Sequence, residues 1–170
     1  MSCGDMARTI EIKKFDELTA RELYDVLKLR QDVFVIEQTC IYPDMDGCDF
    51  VCHHALMRNQ AGELIGYLRI LPPGQTFDTV AIGRVLVRED ARGGGSARQL
   101  MTAALRFIRE TLMQRQVKLS AQQYLVKFYE TLGFAAISEG YVEDGIPHID
   151  MMLEFDDQAF TGYSARVKCL

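Results

Sequence analysis

The spacing of hydrophobic and polar residues changes along the chain, and the changes predict its secondary structure. Apolar residues three to four apart predict helices over residues 20–34, 96–114 and 124–132. Short apolar or alternating runs predict strands over residues 54–58, 63–71, 80–87, 117–121, 134–139 and 148–155. This order of elements predicts an α/β fold in which a mixed sheet is flanked by helices.

The turns between these segments carry their own signals. Thr19 and Glu22 have the spacing of a capping box, which begins the first helix. Residues 59–62, Asn-Gln-Ala-Gly, predict a hairpin turn, and residues 37–53 predict a long polar loop. Residues 140–147 are expected to join the last two strands. No internal repeat or linker divides the sequence, so we expect a single domain over residues 1–170.

The composition agrees with an ordinary globular protein. Of the 170 residues, 48% are hydrophobic and 25% are charged, a balance that excludes a disordered or low-complexity chain. No segment approaches the ~18 consecutive apolar residues of a membrane span, and residues 1–14 lack the apolar run of a signal peptide. We therefore expect a cytoplasmic protein with no membrane partner.

The cysteines show neither a disulfide pattern nor a metal-binding pattern. They are odd in number and irregularly spaced: Cys3, Cys40, Cys48, Cys52 and Cys169. The segment Cys48-x3-Cys52-His53-His54 lacks the second, separated ligand pair that zinc sites use. We expect free thiols and no bound metal.

Charge is distributed unevenly along the chain. The net charge is −5, which argues against a nucleic-acid partner. Residues 84–118 nevertheless hold eight basic and three acidic residues. Residues 37–49 hold four acids and residues 142–157 hold six, with no Lys or Arg in either segment. This pattern suits an anionic ligand at the basic region and a cationic one at a mouth lined by the acidic segments.

A glycine-rich turn lies between the strand at residues 80–87 and the helix at residues 96–114. The glycines at positions 93–95 leave backbone amides accessible, and the first helical turn adds unpaired N–H groups. Arg92 and Arg98 flank the turn. Such a turn is typical of a phosphate-binding cradle, although it matches neither the P-loop nor the dinucleotide-binding motif.

Two motifs in this half of the chain resemble those of the GCN5-related N-acetyltransferases. Arg92-x-x-Gly95-x-Ala97 is similar to the family's pyrophosphate-binding signature, Arg/Gln-x-x-Gly-x-Gly/Ala. Phe128-Tyr129-x-x-x-Gly133-Phe134 is similar to the family's second motif and runs from a predicted helix into a predicted strand. The flanking segments resemble the ElaA-like branch of the family. The resemblance covers about residues 10–155 and leaves out residues 1–9 and 156–170.

The resemblance implies an enzyme that moves an acetyl group from acetyl-CoA to an amine by direct transfer, without a metal. It implies a mostly antiparallel sheet with a splayed central strand pair, in which the pantetheine arm of the cofactor pairs with Val85, Leu86 and Val87. It implies that the turn binds the pyrophosphate through Arg92, Gly93, Gly94, Gly95, Ser96, Ala97 and Arg98. Gln122 stands where relatives usually have an Asn that binds pantetheine. Tyr129 is expected to protonate the leaving thiolate.

The acceptor also needs a base, because an amine with a pKa of ~10.4 is almost wholly protonated at pH 7. The histidines are the first candidates, and adjacent His53 and His54 point to opposite faces of one strand. His148 follows Pro147 at a strand start beside an acidic segment, so we rank it before His54. A water relay from Glu143 or another carboxylate is the third hypothesis.

Further charged residues are candidates for acceptor binding or for structural ion pairs. Arg30 and Arg84 are single basic residues in apolar segments, and Glu37, Asp46 or Asp144 are candidate partners for them. We favour a structural network for the two arginines. The candidate acceptor-binding residues are Arg30, Glu37, Arg84, Glu143 and Asp144.

Two other functions stay open. An acyl-homoserine-lactone synthase has the same fold and a similar early segment, here Arg30-Gln31-Asp32-Val33-Phe34. A sensing module would bind CoA without catalysis. The sequence does not distinguish a small-molecule amine from a protein amine, and a homodimer formed through the final strands or the tail after Asp156 also stays open.

Overall fold

The computed structural model describes residues 8–156, which form one sheet with helices on both faces. The α-helices are α1 (Ala20–Arg30), α2 (Ser96–Glu110) and α3 (Val126–Glu130). The strands are β1 (Thr9–Lys14), β2 (His53–Arg58), β3 (Leu64–Leu71), β4 (Val80–Val87), β5 (Gln116–Gln122), β6 (Ala135–Ala136), β7 (Tyr141–Glu143) and β8 (Ile146–Glu154). Cys3, Cys169 and the tail considered above for dimer formation lie outside the described residues.

The eight strands form one mixed sheet in the order β1-β2-β3-β4-β5-β8, and β6 and β7 both pair with the far edge of β8. Neighbouring strands run antiparallel except β4 and β5, which run parallel. The predicted mixed, mostly antiparallel sheet flanked by helices is therefore confirmed.

The parallel pair at the centre of the sheet opens after two residues. β4 and β5 pair only at Val80 with Val117 and at Ala81 with Lys118. On its other side, β4 has a register shift against β3 near Arg84, whose φ is +53°. Such a bulge bends a strand and increases its twist, so β4 diverges from β5. From residue 82 onward the edge of β4 that faces β5 has no strand partner among the described residues.

Each face of the sheet carries its own core. Helices α2 and α3 cover one face, where Leu100, Met101, Ala104 and Ile108 of α2 are fully buried. Their spacing places them on one side of the helix. Helix α1 covers the other face and packs Val26 and the residues near it against β2 and β3. The second face continues past α1 into the polar segment at residues 38–52, which covers the region where β4 and β5 separate.

Several boundaries differ from the sequence prediction. Strand β1 was not predicted, although Ile10 and Ile12 alternate with exposed residues. The first helix ends as α-helix at Arg30 and continues as a π-helix to Glu37. Helix α2 ends at Glu110 rather than at residue 114, and Met113 has a φ of +53°.

The segment at residues 140–147 was predicted as a connection and instead forms a hairpin. Glu143 pairs with Ile146, which leaves Asp144 and Gly145 as a two-residue turn. Both have positive φ, +49° and +78°, as a type I′ turn requires. The tip of the β7–β8 hairpin therefore carries two adjacent acids, Glu143 and Asp144.

Among the described residues, no helix has the length and apolar character needed to cross a membrane.

Candidate active site

A cavity of about 460 Å³ lies where β4 and β5 separate. Its walls come from the middle of β4, the end of β5, helix α3, the segment after the π-helix and the β7–β8 hairpin. It brings together seven of the residues selected from the sequence, which are distant along the chain. These residues are Arg84, Val85, Gln122, Tyr129, Glu143, Asp144 and His148.

The glycine turn before α2 is built as a cradle of backbone donors. Gly93 and Gly95 have φ values of +80° and +76°, and a Cβ on either residue would meet no atom within 4 Å. The backbone N–H groups of residues 93–98 donate no hydrogen bond to any described residue. Six consecutive free amides at the start of a fifteen-residue helix form a site for an anion.

The side chains around this turn are engaged within the protein. Ser96 is buried, and its hydroxyl donates to the carbonyl of Ala91 at 2.7 Å. Arg98 donates to the hydroxyl of Thr131 at 2.7 Å. Arg92 makes a bidentate ion pair with Glu37 at 2.7 and 2.8 Å, and the Arg92 hydrogen bond lowers the pKa of Glu37. The cradle therefore presents backbone groups rather than free side-chain charges.

Tyr129 lies on α3 and faces the cavity from the side of the sheet that α2 and α3 cover. The residue is 5% exposed, and burial raises the pKa of its phenol well above the usual value. The ring of Tyr129 contacts the rings of Phe128 and Phe134. Its hydroxyl makes no hydrogen bond within residues 8–156. Tyr129 therefore stays protonated at neutral pH, with its hydroxyl free to donate into the cavity.

Gln122 and His148 are cross-strand neighbours at the ends of β5 and β8. The Gln122 amide donates to the side-chain oxygen of Gln38 at 3.3 Å, which links β5 to the segment after the π-helix. Nδ1 of His148 lies 2.8 Å from the Ile146 carbonyl. A carbonyl only accepts, so Nδ1 carries the proton in the neutral ring and Nε2 keeps its lone pair. The His148 ring also stacks on Tyr141, with centroids 6.1 Å apart.

His54 has a different environment from the one we expected. It is 1% exposed and does not line the cavity. Its Nδ1 lies 2.7 Å from the Tyr67 hydroxyl, and its Nε2 lies 2.9 Å from the Asp49 carbonyl. Because both ring nitrogens are engaged and burial lowers the pKa of the ring, the structure assigns His54 to the core and removes the reason for choosing it as the base.

A buried network of three arginines and three aspartates borders the cavity. Arg30 is fully buried and binds Asp44 and Asp49, both at 2.8 Å. Arg84 binds Asp44 at 2.7 Å, and Arg69 binds Asp46 and Asp49. The network fixes the segment at residues 44–49 against α1, β3 and β4. Arg30 is accordingly a structural residue and not an acceptor ligand, because it neither lines the cavity nor is exposed.

The expected acidic mouth is therefore smaller than the sequence suggested. All four acids of residues 37–49 are paired with arginines: Glu37, Asp44, Asp46 and Asp49. Their negative charge is balanced because guanidinium groups from distant segments fold against them. Glu143 and Asp144 form no ion pair with any described residue and remain at the cavity rim. A hydrogen bond from the Cys40 thiol to the Asp144 carbonyl, at 3.4 Å, joins that rim to the segment after the π-helix.

Sequence reasoning missed Asp44, Asp49, Arg69 and Tyr67. Arg69 could have been found, because it is a single charge in the middle of the apolar strand β3. Cys40, Cys48 and Cys52 are free thiols, and the buried Cys52 packs with Leu71 and Ala81 and donates to the Cys48 carbonyl at 3.0 Å. Among the described residues, no group of three or more His, Cys, Asp or Glu side chains has the arrangement of a metal site.

Known proteins are similar to this chain in both sequence and fold. The family described as acetyltransferase (GNAT) domain matches residues 50–155. A UPF0039 protein of Schizosaccharomyces pombe is 43% identical over 143 residues, which is 84% of this chain and 94% of that protein. The crystal structure of Escherichia coli ElaA has a TM-score of 0.81 at 39% identity and covers 87% of this chain and 100% of its own. An acyl-CoA N-acyltransferase from Pseudomonas aeruginosa has a TM-score of 0.80 at 41% identity, covering 86% and 99%.

The chain belongs to the GNAT acetyltransferase family, within its ElaA-like branch. It is accordingly an acyltransferase, and its fold implies the binding of an acyl-CoA. A CoA-dependent acyl-homoserine lactone synthase also matches, with a TM-score of 0.73 at 18% identity, and this likeness concerns the fold alone.

Proposed function

We propose that the protein transfers the acetyl group of acetyl-CoA directly to an amine in the cavity between β4 and β5. The observation that carries the proposal is the convergence of three features on this cavity: an unpaired strand edge, a protonated phenol without a partner and a histidine with a free lone pair. Each has a separate task in amide formation from a thioester.

The strand edge and the glycine turn would bind the cofactor. Val85, Leu86 and Val87 lie on the part of β4 that has left β5, so backbone groups on this edge would be available to the amides of pantetheine. The Val87 carbonyl is the exception, because it accepts a hydrogen bond from Arg92 Nε at 2.9 Å. The free amides of residues 93–98 would bind the pyrophosphate, and charge-assisted hydrogen bonds of this kind contribute about 1.5–3 kcal/mol each. Gln122 would need to exchange its contact with Gln38 for one with the pantetheine arm.

Tyr129 and His148 would carry the protons. The amine must lose a proton before it attacks, and the equilibrium cost of this loss at pH 7 is about 4–5 kcal/mol for a pKa of ~10.4. Nε2 of His148 would accept that proton directly or through a water. The amine nitrogen then attacks the thioester carbonyl, the carbon–sulfur bond breaks, and the Tyr129 hydroxyl donates a proton to the departing sulfur. The nitrogen, positively charged after its attack, loses its second proton, which would return through water to the Tyr129 phenolate and leave a neutral amide.

The proposal is tested by a pair of tyrosine variants. Tyr129→Phe should lower kcat by about 10²-fold or more, the usual contribution of a positioned acid, with little change in acetyl-CoA affinity measured by calorimetry. Tyr124→Phe is the matched control, because Tyr124 also lines the cavity but is 73% exposed. Unaltered turnover in Tyr129→Phe would exclude the phenol as the acid.

A further inference from the structure

Arg69 carries an unused hydrogen-bond donor in the protein interior. Its side chain is 4% exposed, and its two terminal nitrogens bind Asp46 and Asp49. Its Nε is the one buried side-chain nitrogen or oxygen, among residues 8–156, that has no hydrogen-bond partner. Buried polar groups are nearly always paired in folded proteins, so an unpaired one calls for an explanation.

The unpaired Nε lies next to the cavity. Arg69 of β3 pairs with Gly83 of β4 across the sheet, so both residues present the same face. A Cβ on Gly83 would lie 3.9 Å from Arg69 Nε and 3.4 Å from Leu71 Cδ1. Arg69, Leu71 and Gly83 all line the cavity. The missing side chain of Gly83 therefore leaves space beside this donor.

A second guanidinium with an unused nitrogen lies beside the first. Arg84 uses Nε and Nη2 on Asp44 and Asp46, whereas none of the described residues accepts a hydrogen bond from its Nη1. Its guanidinium lies over the ring of Tyr42, 5.2 Å from the centroid. Arg69 and Arg84 both donate to Oδ2 of Asp46, so the two guanidinium groups are held as neighbours. Their orientation is fixed before any ligand arrives.

We propose that Arg69 Nε and Arg84 Nη1 form a carboxylate subsite for the acceptor, next to Gly83. Two adjacent guanidinium donors match the two oxygens of a carboxylate. The β7–β8 hairpin, which lines the same cavity, holds the unpaired acids Glu143 and Asp144 together with His148, a setting for an ammonium group. The acceptor is therefore an amine that also carries a carboxylate. This inference rests on the proposed acetyl transfer to an amine and narrows its substrate class.

The experiment compares ω-aminocarboxylates of increasing chain length with the alkylamines and the ω-aminocarboxamides of the same length. The quantity measured is kcat/KM for CoA release from acetyl-CoA. For the best-fitting length, the carboxylate should exceed the alkylamine by about tenfold or more, the effect of about 1.4 kcal/mol of added binding. The carboxamide should fall clearly below the carboxylate, because charge-assisted hydrogen bonds are the stronger ones.

Gly83→Ala tests the location of the subsite. The glycine does not have a positive φ, and the added methyl group makes only ordinary contacts, so the variant should fold. It should reduce the ratio of carboxylate to alkylamine kcat/KM to near one. Gly66→Ala is the matched control on β3, since its added methyl would contact Met57 and Leu86 rather than the cavity, and it should keep the wild-type ratio.

The possible failures are distinguishable. If amines react but carboxylates show no preference, or if Gly83→Ala keeps the wild-type ratio, the carboxylate subsite is wrong and the acetyl transfer stands. If carboxamides react as well as carboxylates, the subsite recognises a neutral oxygen and the proposed ligand class is wrong. If acetyl-CoA binds and no amine reacts, the proposed function fails, and this inference fails with it.

Discussion

Substitution of Gly95 by valine is expected to lower the affinity for acetyl-CoA, and a control variant with the same backbone strain separates this effect from a general loss of stability. Gly95 has a φ of +76°, and an added Cβ would meet no protein atom within 4 Å. The left-handed conformation costs a non-glycine residue at least about 1–2 kcal/mol, more when it is β-branched. The side chain would also project into the space in front of the free amides at residues 93–98, where we propose the pyrophosphate binds.

The matched control is Gly62→Val in the β2–β3 turn. Gly62 has a φ of +80° and equally open surroundings, so both variants should lose similar free energy of unfolding in a urea titration. Only Gly95→Val should lose affinity for acetyl-CoA in calorimetry, by at least about tenfold, or 1.4 kcal/mol. Wild-type affinity in folded Gly95→Val would refute the cradle, and an equal loss in Gly62→Val would show that strain alone is responsible.

Three further predictions follow from the buried network and the cavity rim. Asp49→Ala should cost about 3–5 kcal/mol of unfolding free energy, because it leaves buried arginine charge uncompensated, whereas Asp78→Ala, which removes an exposed pair with Lys118, should cost less than about 1 kcal/mol. Burial lowers the pKa of His54, so as pH falls below about 6.5 the histidine is protonated in the unfolded chain before it is protonated in the folded one. The free energy of unfolding should therefore decline there by up to ~1.4 kcal/mol per pH unit. A His54→Gln variant whose unfolding free energy keeps the same dependence on pH would contradict this. The double variant Glu143→Gln, Asp144→Asn should raise KM for cationic acceptors and weaken the dependence of KM on salt concentration. If KM and its response to salt are unchanged, the two acids are solvated residues of a turn that do not bind the acceptor.

Regular elements were predictable because their patterns are local. Strand β4 has the bounds expected from its run of β-branched and apolar residues, and α2 begins where the glycine turn ends. The hairpin tip was missed although Asp144-Gly145 is a type I′ sequence, because short exposed strands such as β7 lack an apolar pattern. A strand of three exposed residues is held by its partner β8 rather than by its own sequence.

The cavity was predictable only in part. The two family motifs led to Tyr129 and to the glycine turn, and the cavity joins Tyr129 to Gln122 and His148. Pairings between distant side chains leave no periodic signal. The acids of residues 37–49 looked unbalanced along the chain, yet arginines from α1, β3, β4 and the turn before α2 fold against them. Counting charges along the sequence therefore overestimated the net negative charge at the mouth of the cavity.

The most direct test of acetyl transfer to an amine measures both products in the same samples. The wild-type protein is incubated with acetyl-CoA and a panel of primary amines, free CoA is quantified through its thiol, and acetylated amine is quantified by mass spectrometry. Acetyl transfer predicts equal amounts of the two products with at least one amine, and loss of both in Tyr129→Phe. Bound acetyl-CoA without either product, or thiol release without any acetylated amine, would contradict it.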